Sequence, residues 1–435
     1  MPDVLLMVII LGLFTLLLLA GLHIHSLLLA IGIIGLVLLE GPSIISGFLR
    51  ADPFSQVASY TLTTIPLFVL MAQFIMNAGI VQDAFTMVYN FSKGKAGLLG
   101  SMTVVVGGLL GAVSGSGTAT AASLGQVAVP ELRNYGFKKE IAGAIAAVSG
   151  SLSGIIPPSI TLILYGVITE TPISDLFIGA IIPGVLMMFV FIICILFALR
   201  KSSSGVIDKG TFSAKSLPLS KVIVVIGVGV SSALIIFGGI YTGVITPTEA
   251  GAVGAFVAFI SALLLGKVNK SFIINSVRDT AKVTGMVIII IIGAKIFSRF
   301  MSLSLWPRKL VELLQPLLEY PVLVLILLSA IFFILFMFIE GAAVILMTLP
   351  VLLPVIESLQ VDTVWFGVFI CVISTLGLMT PPVGLSVYAV AGASKLSVES
   401  VFRHTTAYSI VVAIIVCGAM ILIPEIVSWL PGTIN

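Results

Sequence analysis

The feature that most restricts this chain is a series of apolar runs, each near the 20 or so residues that carry a helix across bilayer hydrocarbon. They fall near 4–22, 25–45, 64–90, 139–169 and 174–199, and again near 221–241, 248–266, 281–300, 363–394 and 398–424. Of the 435 residues 59% are hydrophobic and 9% charged, against roughly 25% charged in a soluble domain. No soluble core takes up that much apolar side chain, so lipid is the solvent and the fold is an all-α polytopic membrane protein. The first run, Val4 to Leu22, has neither a basic leader nor a small-residue cleavage site and reads as a retained span.

Several function classes drop out early. The formal charge is +3 and the basic residues are scattered through loops, which argues against a nucleic-acid partner. Cys194, Cys371 and Cys417 lie in apolar runs without CxxC spacing, so neither a disulfide framework nor a zinc site is indicated. His23, His25 and His404 sit at the ends of spans, with no Ser/His/Asp set to be built around them, and no GxxxxGK[ST] loop is present. An enzyme is not expected, nor is an ATP-driven pump.

Two apolar stretches, 97–130 and 321–354, are too long for one span and break near the middle, at Ser114-Gly115-Ser116-Gly117-Thr118 and at Ile339-Glu340-Gly341. Limbs of about 15 residues reach about 22 Å, short of a core of about 30 Å, so each reads as a re-entrant helical hairpin. Five spans then remain per half, and an odd number sets the halves in opposite orientations. With the N-terminus outside, all the Lys and Arg except Arg50, Lys295, Arg299, Arg308 and Lys309 fall on the cytoplasmic side, as the positive-inside rule requires. Both termini are then periplasmic.

Sliding the second half on the first by 224 residues aligns Gly117 with Gly341, Ala119 with Ala343, Pro130 with Pro354, Gly143 with Gly367, Leu152 with Leu376, and Pro157-Pro158 with Pro381-Pro382. Hairpins and double prolines fall in register together. With five spans per repeat this is an inverted-topology repeat, a design of secondary transporters that bind substrate and ions near the midplane. The Ser- and Lys-rich stretch 201–220 is the natural linker.

The double prolines prevent continuous helices, because proline lacks the N–H and clashes with the preceding turn. Each span should unwind, around 149–159 and 374–384, and free carbonyl oxygens beside serine and threonine hydroxyls, the hard ligands that sodium takes. The candidate sodium-site residues are Ser114, Gly115, Ser153, Gly154, Pro157, Gly341, Gly377, Thr380 and Pro381, with each tip paired to the break of its own half. Facing helix N-termini suit a carboxylate, and the candidate substrate contacts there are Ser116, Thr118, Ser159, Glu340, Val383 and Gly384. Small residues at these spacings also permit close helix packing, and prolines also simply kink helices.

Glu340 is the one carboxylate at a tip, either functional or facing periplasmic water. Glu249, in Thr246-Pro247-Thr248-Glu249, reads as half of a capping box. Glu170 and Asp175, at the outer end of a span, read as solvated. Segments 51–61 and 268–277 open with Asp52-Pro53 and Asn269 and suit helices lying along the interface.

The stretches Gly115-Ser116-Gly117-Thr118-Ala119-Thr120, Gly154-Ile155-Ile156-Pro157-Pro158-Ser159, Gly243-Val244-Ile245-Thr246-Pro247-Thr248-Glu249-Ala250-Gly251 and Gly377-Leu378-Met379-Thr380-Pro381-Pro382-Val383-Gly384 resemble the large membrane subunit (DctM type) of tripartite ATP-independent periplasmic (TRAP) transporters. The resemblance spans essentially the whole chain. It implies an elevator-type transporter in the bacterial inner membrane, importing a small organic acid such as a C4-dicarboxylate or sialic acid with Na+. Scaffold segments would be 1–90 and 221–300, and the moving domain 91–200 and 301–435. A periplasmic substrate-binding protein would deliver the substrate. A separate small four-helix membrane subunit is expected, since no fused extension is seen. Glu340 stands where the first tip has Ser116, so unequal ion ligation at the two sites is expected. An ion or proton antiporter shares the inverted repeat but usually carries carboxylates mid-span, and most spans here carry none. A passive channel or structural membrane component remains as a third reading.

Overall fold

The computed structural model describes residues 2–44, 58–93, 95–201 and 217–433, which are helices and connecting turns with no strand among them. The first half runs through α1 (Pro2–Leu19), α2 (Ile24–Glu40), α3 (Thr64–Asn77), α4 (Ile80–Ser92), α5 (Ala96–Ser114) and α6 (Gly117–Asn134). It continues with α7 (Lys139–Ser151), α8 (Ile160–Thr169), α9 (Ile173–Gly179) and α10 (Ile181–Lys201). The second half follows with α11 (Leu219–Ala233), α12 (Pro247–Leu264), α13 (Lys270–Leu303), α14 (Trp306–Leu318), α15 (Pro321–Phe338) and α16 (Gly341–Ser358). It ends with α17 (Thr363–Gly377), α18 (Leu385–Ser394), α19 (Val398–Val412), α20 (Gly418–Leu422) and α21 (Glu425–Ser428).

Helix boundaries recur at the 224-residue offset. α6 maps onto α16 with both ends matched, α7 and α17 start at the equivalent Lys139 and Thr363, and α2 maps onto α12 within one residue. Packing between the halves follows the same exchange. α2 lies on α13 while α12 lies on α3, and α6 lies on α18 while α16 lies on α8. α2 and α13 approach backbone to backbone: a methyl group at Gly32 would sit 2.8 Å from the Phe297 amide nitrogen. A buried hydrogen bond of 2.6 Å joins the Thr64 and Thr248 hydroxyls, and Asn77 Nδ2 donates to Ser276 Oγ at 3.0 Å. The capping box at α12 is formed, with the Thr246 amide donating to Glu249 Oε2 at 2.8 Å.

Among the described residues seven helical stretches are long and apolar enough to cross a bilayer: 60–77, 173–201, 247–264, 270–303, 321–338, 341–358 and 398–422. Expected and observed elements differ in four places. The run 64–90 is two helices, because Gly79 takes a left-handed conformation (φ 76°) that ends α3 and redirects the chain into α4. Segment 268–277 is no separate interfacial helix; Asn269 Oδ1 accepts the Phe272 amide at 2.8 Å, and with no breaker after it the helix runs 34 residues as α13. The hairpin limbs are longer than expected, 18 or 19 residues and so about 27 Å. Pro130, Pro350 and Pro354 are accommodated inside helices instead of ending them, so limb length alone does not forbid a crossing. Finally, α14 is an amphipathic helix absent from the apolar runs because Arg308, Lys309 and Glu312 interrupt it. The expected interfacial helix 51–61 and linker 201–220 lie largely outside the described residues.

Candidate functional site

Both double-proline spans are broken. α7 ends at Ser151 and tightens into a 3-10 turn over Leu152–Gly154, and helix resumes only at Ile160. In the second half the helix stops at Gly377 and resumes at Leu385. The Pro157-Pro158 and Pro381-Pro382 bonds are both cis. The break-lining hydroxyls are buried: Ser149, Ser151, Ser153, Ser159, Ser374, Thr375 and Thr380.

Most of these hydroxyls donate their proton to a carbonyl of their own segment. Ser153 Oγ donates to Gly150 O (2.8 Å), Ser159 Oγ to Gly154 O (2.8 Å), Thr375 Oγ1 to Cys371 O (2.9 Å) and Thr380 Oγ1 to Leu376 O (2.7 Å). A hydroxyl so oriented turns its lone pairs outward and acts as an acceptor, which is what a hard cation requires.

The hairpin tips close on these breaks. Gly115, at φ 63°, turns the chain between α5 and α6, and its carbonyl accepts the Ile160 amide at 3.4 Å, where α8 begins. In the second half the Gly384 amide, at the start of α18, donates to Met337 O at 3.0 Å. Each tip is therefore tied to the half-helix of its own half of the chain. Ser116 caps α6 and its Oγ lies 3.2 Å from Thr118 Oγ1. The Ser114 side chain lies outside the described part of the structure.

Contacts also cross between the two halves of the chain, beyond the pairing of each tip with its own break. A Cβ on Gly154 would lie 2.8 Å from Thr375 Oγ1, so the two breaks abut. Gly117 faces Ser153 Oγ of its own half and Leu378 of the other. Gly341 leaves no room for a side chain beside the Ser374 hydroxyl and stands 3.4 Å, measured from a Cβ, from Thr161 Oγ1 of the first half. Four helix N-termini, those of α6, α8, α16 and α18, thus gather around two non-helical segments, bringing positive dipole ends and oxygen ligands together.

Glu340 starts α16, half-buried, and its carboxylate caps no backbone amide. Gly377 is held by close approach to Phe336 of α15, which makes it a packing position. Pro157 lines an apolar groove shared with α4, α5 and α11. Pro381 and Val383 lie half-buried in the second break. Ser374 and Thr375, which the sequence reading placed in the second unwound segment without singling them out, and Thr161, which it did not single out, stand beside the candidate residues; Ser374 and Thr375 are the 224-residue equivalents of Gly150 and Ser151. Lys295 and Arg308, noted earlier only as exceptions to the charge bias, line a cavity of about 440 Å³ between α13 and α14 on one side and α8 and α16 on the other. Ser298 and Ser302 share that wall of α13, and Glu357 of α16 is on its rim.

A chain of helices, seven of its described stretches long and apolar enough to cross a bilayer, with two hairpin tips closing on two helix breaks, is a polytopic membrane protein. Residues 11–426 match the family described as "Tripartite ATP-independent periplasmic transporter, DctM component", and the chain belongs to that family. Similar proteins include the sialic acid TRAP transporter large permease of Vibrio cholerae, 26% identical and covering 95% of this chain and 96% of its own length. The ectoine/5-hydroxyectoine TRAP large permease of Ruegeria pomeroyi is 29% identical, with the same coverage of both chains. Among solved structures the Alcanivorax borkumensis YdaH transporter shares the fold, with a TM-score of 0.68 at 13% identity over 97% of this chain and 99% of that one.

Proposed function

We propose that the chain is the translocating subunit for a small carboxylate-bearing solute, moving it inward together with sodium. The observation that carries the reading is the abutment of the two breaks at Gly154 and Thr375, flanked by both tips. Acceptor-oriented hydroxyls supply cation ligands, and the surrounding helix N-termini favour the anion. Each sodium ion entering down 100 mV contributes about 2.3 kcal/mol before its concentration gradient is counted, so two would support accumulation without ATP. Relatives are named for sialic acid, C4-dicarboxylates, 2,3-diketo-L-gulonate and ectoine, which supports an organic acid as the transported class.

The recurrence of helix ends at one offset, with packing exchanged between halves, supports an inverted repeat; the bias of Lys and Arg supports periplasmic termini, and family membership supports the bacterial inner membrane. The pairs α2 with α13 and α3 with α12 would form a fixed scaffold, while hairpins and broken helices move as an elevator. Family membership supports a small membrane subunit and a periplasmic binding protein as partners.

The test is uptake of labelled organic acids into proteoliposomes holding this chain with its small subunit. Uptake should require both a sodium gradient and added binding protein. Glu340, an uncapped carboxylate at a tip, favours one second reading, ion or proton antiport. That reading requires uptake driven by a proton gradient in sodium-free buffer, lost in Glu340→Gln.

A further inference from the structure

A second cavity, of about 990 Å³, lies away from the breaks, where the end of α10, the start of α7 and the face of α19 meet. Its rim carries Lys138, Lys201 and Arg403 against the single carboxylate of Glu140. Arg200 and Lys201 form the last turn of α10, the end of a helix where its dipole holds cations. Beneath this charged rim the wall is apolar and open: Phe197 is 66% exposed, Ile415 44% and Val411 39%. Tyr408, otherwise buried, also lines the cavity, and its hydroxyl has no hydrogen-bond partner. Cations at the ends of spans above an exposed apolar groove complement a molecule with an anionic head and hydrocarbon tails, and basic pockets between membrane helices bind such headgroups.

We propose that this groove is a binding site for an anionic phospholipid. The phosphate sits among Lys138, Lys201 and Arg403, and an acyl chain lies along Phe197, Val411 and Ile415. A free organic acid or inorganic phosphate would use the same cations but leave the apolar wall uncovered, so the wall favours the lipid. None of these residues belongs to the candidate transport site, and the inference stands apart from the transport reading.

The test is titration of phosphatidylglycerol or phosphatidylcholine into delipidated protein, read by native mass spectrometry, with inorganic phosphate as the competitor. Phosphatidylglycerol should bind at least tenfold more tightly than phosphatidylcholine. Lys138→Ala with Arg403→Ala should weaken it by roughly 30-fold, taking about fivefold for each cation near an anionic surface. The conservative pair Lys138→Arg with Arg403→Lys should retain binding, which guards against misfolding as the cause. Equal binding of the two lipids, unchanged binding in the alanine pair, or displacement of the lipid by millimolar inorganic phosphate would overturn the proposal.

Discussion

Gly154 and Thr375 meet across the two helix breaks, close enough that a single methyl group on residue 154 would lie 2.8 Å from the threonine oxygen. Nothing in either half alone requires this. It follows from the exchange of packing between halves, and it places the oxygen-rich segments of both halves in one buried region.

Gly154→Ala should therefore push the breaks apart. Overpacking of this kind costs about 1–3 kcal/mol, so the variant should fold and reach the membrane but lose most uptake. Combining it with Thr375→Gly, which removes the opposing oxygen, should restore packing without restoring sodium dependence. Uptake assays alongside thermal unfolding in detergent separate the two effects.

Ser153→Ala and Thr380→Ala each remove a lone-pair-presenting hydroxyl from a break. An interaction with a charged partner is worth about 1.5–3 kcal/mol, so the sodium concentration for half-maximal uptake should rise about tenfold or more in each. The affinity of the binding protein for its solute should stay the same.

Lys295 and Arg308 line the cavity between α13, α14 and α16 and are exposed to it. Replacing both with glutamine should reduce the capture rate of an anionic solute by about tenfold at low ionic strength. Because such steering is screened, the difference should shrink as salt is raised. The check is initial uptake rate against choline chloride concentration at fixed sodium.

Gly32→Val adds bulk where α2 meets the backbone of α13 at Phe297. Thermal stability in detergent should fall by about 1–3 kcal/mol, while sodium dependence of the remaining activity is unchanged, since the contact lies away from the breaks.

Much of the frame was legible because proline and glycine act locally. Pro157-Pro158 and Pro381-Pro382 announce the breaks, and Gly115 announces the first tip, whatever surrounds them. The 224-residue register was legible for the same reason, and helix ends repeat it within two residues in the pairs α2/α12, α5/α15, α6/α16, α7/α17 and α8/α18. Less was legible where the decisive partner is remote. Gly79 looks like many glycines inside apolar runs, and only its left-handed backbone shows that it splits α3 from α4. The amphipathic α14 carries too many charges for a search built on apolar runs. The pairing of each tip with its own break was only part of the arrangement, because contacts such as Gly341 with Thr161 join residues from different halves and leave no mark in local sequence. Pro130 and Pro354 look like helix stops yet lie inside α6 and α16, so the hairpin limbs came out too short.

The most direct measurement is equilibrium binding of radioactive sodium to the purified subunit and to its Ser153→Ala, Thr375→Ala double variant. The account predicts saturable binding in the parent protein, resistant to competition by potassium and lost in the variant while its fold is intact. Equal saturable binding in both proteins, or none in either, would contradict it.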